Sequence, residues 1–199
     1  MIEIVLATNN KDKVREIKAL LKGLPVKVLT AQNFPHFPKV KEDGKNLEEN
    51  ALKKAEAISR YTGKIALADD TGLEVNILKG LPGVRSARFA GPCCSYTDNN
   101  QKLLRALKKL SWSKRKACFR CVLALAFPGK KTVIRAGKIA GYISEELKGK
   151  QGFGYDPIFY VPAYKKTFAE LGLKTKNKIS HRAQALQKIR KVIKKIVTG

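Results

Sequence analysis

The start of the chain joins a short apolar run to a helical pattern, and this pair constrains the fold more than any other feature. Residues 2–8 read IEIVLAT, which is typical of a buried strand, and Asn9-Asn10 ends the run. Apolar residues then recur at helical spacing: Val14, Ile17, Leu20 and Leu21. A strand, a polar turn and a helix form the basic unit of α/β folds. The helix N-terminus at such a turn offers free N–H groups to an anion.

The same alternation continues downstream. Leu47–Tyr61 predicts a helix that ends at Gly63, and Lys64–Ala68 predicts a second short strand. Asp69-Asp70-Thr71-Gly72 follows, and we expect it at the carboxyl end of that strand, where ligands gather in open α/β sheets. Leu73–Leu78 then predicts a further strand.

The second half of the chain adds a hairpin and a final helix. Thr97 is the predicted N-cap of a helix, and Lys116–Phe127 with Lys131–Ser144 predicts two long paired strands. A glycine-aromatic loop, Gly152–Pro157, comes next, and Ser180 is the predicted cap of the last helix. Together these patterns predict an α/β fold with a mixed sheet, and we expect one domain over residues 1–199.

The charge of the chain is unevenly distributed. The net charge is +25, and residues 1–100 carry 16 basic and 12 acidic groups, whereas residues 101–199 carry 25 and 4. Such a field attracts polyanions, either nucleic acid or nucleotide. A lysine-rich solvated surface explains the same excess, so charge alone does not choose between substrate steering and nucleic-acid binding.

Hydropathy and cysteine spacing exclude several classes. The longest apolar run, Cys121–Phe127, has seven residues, whereas a membrane helix needs about 20. With no basic leader before the first strand, we expect a cytoplasmic protein. Cys118 and Cys121 lie three apart on a predicted strand and face opposite ways, so buried reduced thiols are favoured over a zinc site. Any metal would then be held by carboxylates, which favours Mg²⁺ or Mn²⁺.

Two polar clusters in the first half of the chain could carry chemistry. Thr8-Asn9-Asn10-x-x-Lys13 at the first strand-to-helix turn could form a phosphate cradle, although Asn before a helix is often only a cap. Asp69 and Asp70 repel each other and need a cation or a proton, with Glu42 as a candidate partner. A polar strand end is the alternative, and on a straight strand the two carboxylates would face opposite ways.

Two further clusters lie in the second half. Phe153 and Tyr155 could stack on a flat base, or they could be core aromatics of an ordinary turn. His181 and Arg182, with Lys176 upstream, could read the edge of a base or hold a phosphate. A structural role is the alternative for the histidine.

The order and spacing of six motifs resemble the inosine triphosphate pyrophosphatase family, also called XTP/dITP diphosphatases. The motifs are ATNNxxK (Ala7–Lys13), ADDTGL (Ala68–Leu73), GxxSARF (Gly83–Phe89), FxCV (Phe119–Val122), GFGYDPIF (Gly152–Phe159) and ISHR (Ile179–Arg182). The resemblance covers residues 1–197. It implies an elongated mixed β-sheet flanked by helices, with two lobes around a central cleft, and a homodimer. It also implies Mg²⁺-dependent hydrolysis of ITP, dITP and XTP to the monophosphate and pyrophosphate.

The resemblance also implies site residues. The triphosphate would be held by Thr8, Asn9, Asn10 and Lys13. The metal would be bound by Glu42 and Asp70 with Asp69 in support, and Asp70 is also the candidate base. The substrate and its base would be contacted by Thr71, Phe153, Gly154, Tyr155, Asp156, Lys176, His181 and Arg182. The chain departs from the family pattern at Thr175, where an acidic residue is usual, and in its strong basic charge.

Two other function classes remain at this point. A basic RNA- or DNA-binding module without catalysis would use the +21 second half, including Lys191, Lys194 and Lys195. It does not account for Asp69-Asp70 or the paired asparagines. A related pyrophosphatase acting on another substrate, such as a modified pyrimidine triphosphate, is the third hypothesis.

Overall fold

The structure is a computed structural model that describes residues 1–198, with side chains to residue 197. The helices are α1 (Lys11–Leu21), α2 (Leu47–Thr62), α3 (Tyr96–Ala106), α4 (Phe168–Ile179) and α5 (His181–Thr198). The strands are β1 (Ile2–Leu6), β2 (Val26–Leu29), β3 (Ile65–Val75), β4 (Pro82–Gly83), β5 (Lys116–Phe127), β6 (Lys130–Ile143), β7 (Phe159–Val161) and β8 (Lys166–Thr167). Short 3₁₀ turns lie between several of them.

The strands form one mixed sheet of eight strands within the described residues. Its order is β2-β1-β3-β5-β6-β7-β8, and β4 pairs with β3. β1 runs parallel to β2 and β3, whereas β7 is antiparallel to β6 and β8. The predicted α/β class with a mixed sheet flanked by helices is confirmed.

Two compact units divide the chain, and β3, β5 and β6 contribute residues to both. Unit 1 consists of residues 1–70, 121–137 and 182–199. Its core combines apolar side chains of β1, α1, β5 and α5, including Ile4, Ile17, Leu123 and Leu186, all essentially inaccessible to solvent. Two helices of this unit begin at polar caps, because the side chain of Asn10 accepts from two first-turn amides of α1 and that of Asn46 accepts from the Glu49 amide of α2.

Unit 2 consists of residues 71–120 and 138–181. In its core Phe159 stacks on Phe168, and Phe119 packs against Phe159 at a tilt. Arg115 is buried, and its guanidinium donates to the carbonyls of Ile143, Leu107 and Ser144 at 2.7, 2.7 and 2.5 Å. This cation therefore ties three chain segments together through backbone oxygens.

Several predicted boundaries are confirmed and others are wrong. The helix at Leu47 and the long strand pair match α2, β5 and β6. Thr97 is not the cap of α3, because Ser95 forms a capping box with Asp98. All four cysteines are free as predicted, but only Cys121 is buried and Cys93 is exposed.

The predicted domain organisation can be compared with the two compact units. The two compact units agree with the predicted two lobes, whereas a central cleft and a single domain over 1–199 stay predictions. Among the described residues, no helix combines the length and the apolar character that crossing a bilayer requires.

Candidate active site

The Asp69-Asp70 pair lies in the middle of a strand, not at its end. β3 continues through both residues to Val75, so the predicted strand end at Asp69 and the predicted separate strand Leu73–Leu78 are wrong. The pairing of β1 with β3 nevertheless stops at Leu6 and Leu67. The two carboxylates therefore lie just beyond the carboxyl end of β1, beside the turn that leads into α1.

Asp69 points to one face of β3, into a buried network of charges in unit 1. Its side chain has no solvent exposure and contacts Lys13 Nζ at 2.5 Å. Arg182 Nε donates to its other oxygen at 2.9 Å, and Arg182 Nη1 donates to the buried carboxylate of Glu16. Two carboxylates and two cations thus meet where α1 and α5 begin.

These contacts hold Asp69 in its charged form. Burial by itself would raise the pKa of Asp69, but the charges of Arg182 and Lys13 outweigh it and hold that pKa well below its usual value. The same attraction, from Asp69 and Glu16, overcomes burial and raises the pKa of Arg182. In this structure Asp69 and Arg182 therefore bind each other and not solvent.

Asp70 points to the opposite face, as period-2 alternation requires. Lys54 Nζ lies 2.9 Å from Asp70 Oδ1, 2.9 Å from Glu42 Oε1 and 2.8 Å from the Asp69 carbonyl oxygen. Asn50 Nδ2 donates to the second oxygen of Asp70 at 3.3 Å. Asp70 is 5% exposed, and about a third of the Glu42 side chain is accessible.

The pKa of Asp70 moves in the direction opposite to that of Asp69. Burial raises the pKa of Asp70, and the attraction of Lys54 and Lys13 offsets only part of this effect. A carboxyl group with a raised pKa is a better proton acceptor than an ordinary aspartate. Asp69 and Asp70, which are neighbours on β3, therefore have pKa values shifted in opposite directions.

The surroundings of Lys54 fit a hard divalent cation. Its ammonium is held by two carboxylate oxygens and one carbonyl oxygen, which is the donor type that Mg²⁺ prefers. No cluster of three or more metal-ligating side chains occurs among residues 1–198. Mg²⁺ is often bound by one or two carboxylates together with substrate phosphates, and the pair Glu42 and Asp70 matches that kind of ligand set.

The turn before α1 is built around Asn10. Its side-chain oxygen accepts from the backbone amides of Asp12 and Lys13 at 2.9 and 3.1 Å, and its backbone amide donates to Thr8 Oγ1 at 3.2 Å. Asn9 is exposed. Asn10 therefore acts here as the helix cap, and it fixes the start of the helix that carries Lys13.

The glycine-aromatic loop of unit 2 is organised by Asp156. This buried carboxylate accepts from the Phe153 amide at 2.8 Å and from Lys176 Nζ at 2.5 Å. A Cβ at Gly152 would lie 2.1 Å from Asp156 Oδ2, so only glycine fits there. The Lys176 ammonium also lies 4.6 Å from the centre of the half-buried Phe153 ring.

Tyr155 and His181 are core residues of unit 2 in this structure. Tyr155 is buried, its hydroxyl donates to the Ser86 carbonyl at 2.9 Å, and burial raises its pKa. His181 is buried and stacks on Phe119, with ring centres 4.6 Å apart. Gly154 is held from outside the loop, because its carbonyl accepts from Asn100 Nδ2 at 2.9 Å.

Comparison with known proteins identifies the family. The profile of the Ham1 family matches residues 4–192. The chain belongs to the Ham1 family. A dITP/XTP pyrophosphatase of Desulforamulus reducens is 51% identical over 195 residues, which are 98% of this chain and 97% of that protein. A dITP/XTP pyrophosphatase of Geobacter sulfurreducens is 50% identical over 186 residues, 94% of each chain.

Solved structures of Ham1 proteins share this fold. A HAM1 protein from Coxiella burnetii has a TM-score of 0.89 at 43% identity, covering 98% of this chain and 100% of its own. The Staphylococcus aureus Ham1 protein has a TM-score of 0.87 at 38% identity, covering 96% and 98%. The resemblance inferred from the six motifs is thereby confirmed at the level of the family and the fold.

Within this Ham1 chain, the predicted residues fall into two groups. Unit 1 brings together Thr8, Asn9, Asn10, Lys13, Glu42, Asp69, Asp70 and Arg182. Unit 2 contains Thr71, Phe153, Gly154, Tyr155, Asp156, Lys176 and His181. Their roles as ligands of a nucleotide or a metal stay predictions.

Sequence reasoning missed four polar residues that contact the predicted site residues. Lys54 and Asn50 lie on α2 among its buried apolar positions, Glu16 is buried on α1, and Asn100 is buried on α3. A signal was present for the first three, because each polar side chain interrupts the apolar stripe of an amphipathic helix. Charged residues are rarely buried there unless they are paired.

Proposed function

We propose that this Ham1-family chain is a pyrophosphatase that hydrolyses ITP, dITP and XTP to the monophosphate and pyrophosphate. The observation that carries the proposal is the alternation at Asp69-Asp70, which gives one strand a charged carboxylate that organises cations and a second one suited to accept a proton. The printed activity of the relatives, dITP/XTP pyrophosphatase, supports the substrate class.

Asp70 accepts a proton from the water that attacks the α-phosphorus, and pyrophosphate leaves. Its raised pKa suits this role, while Lys54 and Asn50 hold the carboxylate in one orientation. In the alternative role for this residue, Asp70 and Glu42 would hold Mg²⁺, which would lower the pKa of bound water and neutralise phosphate charge. Mn²⁺ has similar ligand preferences and is the alternative ion.

The triphosphate is held at the turn before α1 by Thr8, Asn9, Asn10 and Lys13. Lys13 is the main electrostatic donor, since its side chain is 18% exposed and its ammonium lies where β1 gives way to α1. Asp69 orients Lys13 from behind, and Arg182 orients Asp69. The sequence also predicts that Asp69 contacts the metal and that Arg182 contacts the substrate. Substitutions of Asp69 and Arg182 test these contacts together with the orienting role.

Base recognition belongs to the loop of unit 2, with Phe153 as the stacking ring and Lys176 as the cation beside it. Thr71, Gly154, Tyr155, Asp156 and His181 complete the proposed pocket. Inosine and xanthine carry an acceptor at position 6, where adenine carries a donor, so a protein donor at that edge leaves ATP mispaired. Such unpaired buried groups discriminate by up to about 10⁴–10⁵. Equal kcat/KM for ITP and ATP would contradict this proposal.

The decisive experiment is hydrolysis of ITP in H₂¹⁸O, after which the products are separated and the mass of each is measured by mass spectrometry. Attack at the α-phosphorus places the label in the monophosphate and releases unlabelled pyrophosphate. Attack at the γ-phosphorus gives a diphosphate and labelled phosphate, which would overturn the proposal. Parallel reactions with EDTA, Mg²⁺ and Mn²⁺ test the metal requirement.

A substrate panel separates this function from the alternatives. Turnover of a modified pyrimidine triphosphate in preference to ITP would favour the related pyrophosphatase. Nucleic-acid binding without any phosphate release would favour the non-catalytic module. We also propose a homodimer and a cytoplasmic location, which analytical ultracentrifugation and cell fractionation test.

A further inference from the structure

Helix α5 presents an exposed basic face over its C-terminal half. The helix contains six lysines and arginines and no acidic residue. In the same unit, α2 contains three basic and three acidic residues, which is the mixed pattern of a solvated helix. The charge of α5 is therefore a property of this helix and not of the helices of unit 1 in general.

The end of α1 lies on a different side of α5. Arg190 on α5 donates from Nη1 to the carbonyls of Leu20 and Lys22, so the C-terminal part of α1 lies against the middle of α5 on the side of Arg190. We use the name lysine face for three exposed residues of α5 that share another side of the helix. They are Lys188, Lys191 and Lys195.

The charges of the lysine face are not neutralised within the protein. In the part of the chain that the structure describes, Lys191 and Lys195 make no ion pair. Lys188 Nζ donates to the carbonyl oxygen of Ala136, which carries no formal charge. Cations in the last turn of a helix also interact with the helix dipole, but that effect is confined to the last turn. Lys188 and Lys191 lie further inside α5.

The lysine face leads away from the phosphate site along α5. Arg182 lies in the first turn of α5, whereas the lysine face occupies the later turns. From Arg182, α5 rises about 9 Å to Lys188 and about 20 Å to Lys195, at about 1.5 Å per residue. Steering of substrate to Lys13 does not require a row of lysines that leads away from it.

We propose that the lysine face binds the phosphate backbone of double-stranded nucleic acid without sequence preference. Successive lysines one helical turn apart match a polyanion with regularly spaced charges. Neither α1 nor the exposed part of α5 carries an aromatic side chain, so the face has no platform on which unpaired bases could stack. The duplex backbone is consequently favoured over single strands.

The test compares two triple variants with the same loss of charge. Lys188→Gln, Lys191→Gln and Lys195→Gln remove the charges of the lysine face. The control replaces three exposed lysines on separate loops and strand ends, Lys79→Gln, Lys130→Gln and Lys165→Gln. Binding of a fluorescent 20-base-pair duplex is measured by anisotropy over a series of salt concentrations, together with ITP hydrolysis.

The wild-type protein should bind the duplex with an affinity that falls steeply as salt rises. In the first triple variant the slope of log Kobs against log salt should decrease by about 0.9 for each lysine that meets a phosphate. The affinity at low salt should fall at least about tenfold, whereas the control should stay within about twofold. ITP hydrolysis should remain unchanged in both.

Four results would overturn the proposal. Equal losses in the two triple variants would indicate a diffuse field in place of a defined face. Tighter binding to a single strand than to the duplex would contradict the backbone geometry. Binding to anionic phosphatidylserine vesicles but not to the duplex would assign the face to a membrane surface. A wild-type protein with no salt-dependent duplex binding would leave the face without this partner.

Discussion

The opposite pKa shifts of Asp69 and Asp70 predict that two nearly identical substitutions separate stability from catalysis. Asp69→Asn removes the carboxylate that Lys13 and Arg182 contact at 2.5 and 2.9 Å in the interior. Asp70→Asn removes a carboxylate whose charged form is already disfavoured by burial. The two variants differ by one position on one strand, so each is the matched control of the other.

The expected magnitudes follow from burial and pairing. Removing one partner from a buried charge pair costs about 3–5 kcal/mol, and Asp69 has no solvent exposure. That is a large part of a typical domain stability of about 5–15 kcal/mol. Asp70→Asn should change the free energy of unfolding at pH 7 by less than about 1 kcal/mol, because Glu42 still pairs with Lys54. It should abolish turnover.

The pH dependence of stability gives a second, independent test of the opposite pKa shifts of Asp69 and Asp70. The folded pKa of Asp69 lies below its ordinary value of 3.8, so its stabilising effect is full above that pH and is lost as pH falls through the folded pKa. The folded pKa of Asp70 lies above 3.8, so its carboxyl destabilises the fold increasingly as pH rises through that window.

Urea denaturation of the wild type and both variants between pH 3 and 8 measures these effects. With an m-value of about 3 kcal/mol/M, Asp69→Asn should lower the urea midpoint at pH 7 by about 1–2 M, and the difference should shrink on acidification. Equal stability of the two variants at pH 7, or a loss of more than about 2 kcal/mol in Asp70→Asn, would refute the assignment of opposite roles.

Three other substitutions test the site and its support. Lys54→Met should move the acid limb of the kcat/KM profile to higher pH, because the Lys54 charge partly lowers the pKa of Asp70; an unchanged limb would exclude Asp70 as the titrating group. Arg115→Met should lower the free energy of unfolding by about 3 kcal/mol or more, because three buried carbonyls lose their donor. As a control, the substitution Arg120→Met at a half-exposed position should lower it by less than about 1 kcal/mol, measured by the same urea denaturation. Lys176→Met should cost about 3–5 kcal/mol and raise KM for ITP, and the added change Asp156→Asn should recover part of the stability; additive losses in that double-mutant cycle would argue against their pairing.

Local patterns were sufficient for the elements that build the site. The apolar run at Ile2 and the capped helix after Asn10 follow from hydrophobic periodicity and capping preferences. The opposite orientation of Asp69 and Asp70 follows from the period of a strand only once β3 continues through both residues. These features depend on neighbours within a few residues, which is the range over which sequence patterns carry information.

The continuation of β3 could not be predicted in the same way. Thr71-Gly72 resembles a turn, but β4 pairs with Leu73 and Glu74, and Ser86 Oγ accepts from the Leu73 amide at 2.9 Å. These tertiary hydrogen bonds override the local preference for a turn. Similarly, Arg182 finds its two carboxylates 113 and 166 residues away, and no short-range pattern indicates such partners.

The alternation within β3 makes hydrogen-bond register a determinant of chemistry in this protein. β1 and β3 are aligned by three residue pairs, Ile4 with Ile65, Val5 with Ala66 and Leu6 with Leu67. A shift by a single position would exchange the sides to which the two aspartates project. Insertion or deletion of one residue upstream in β3 would thus silence the protein without removing any of its functional groups.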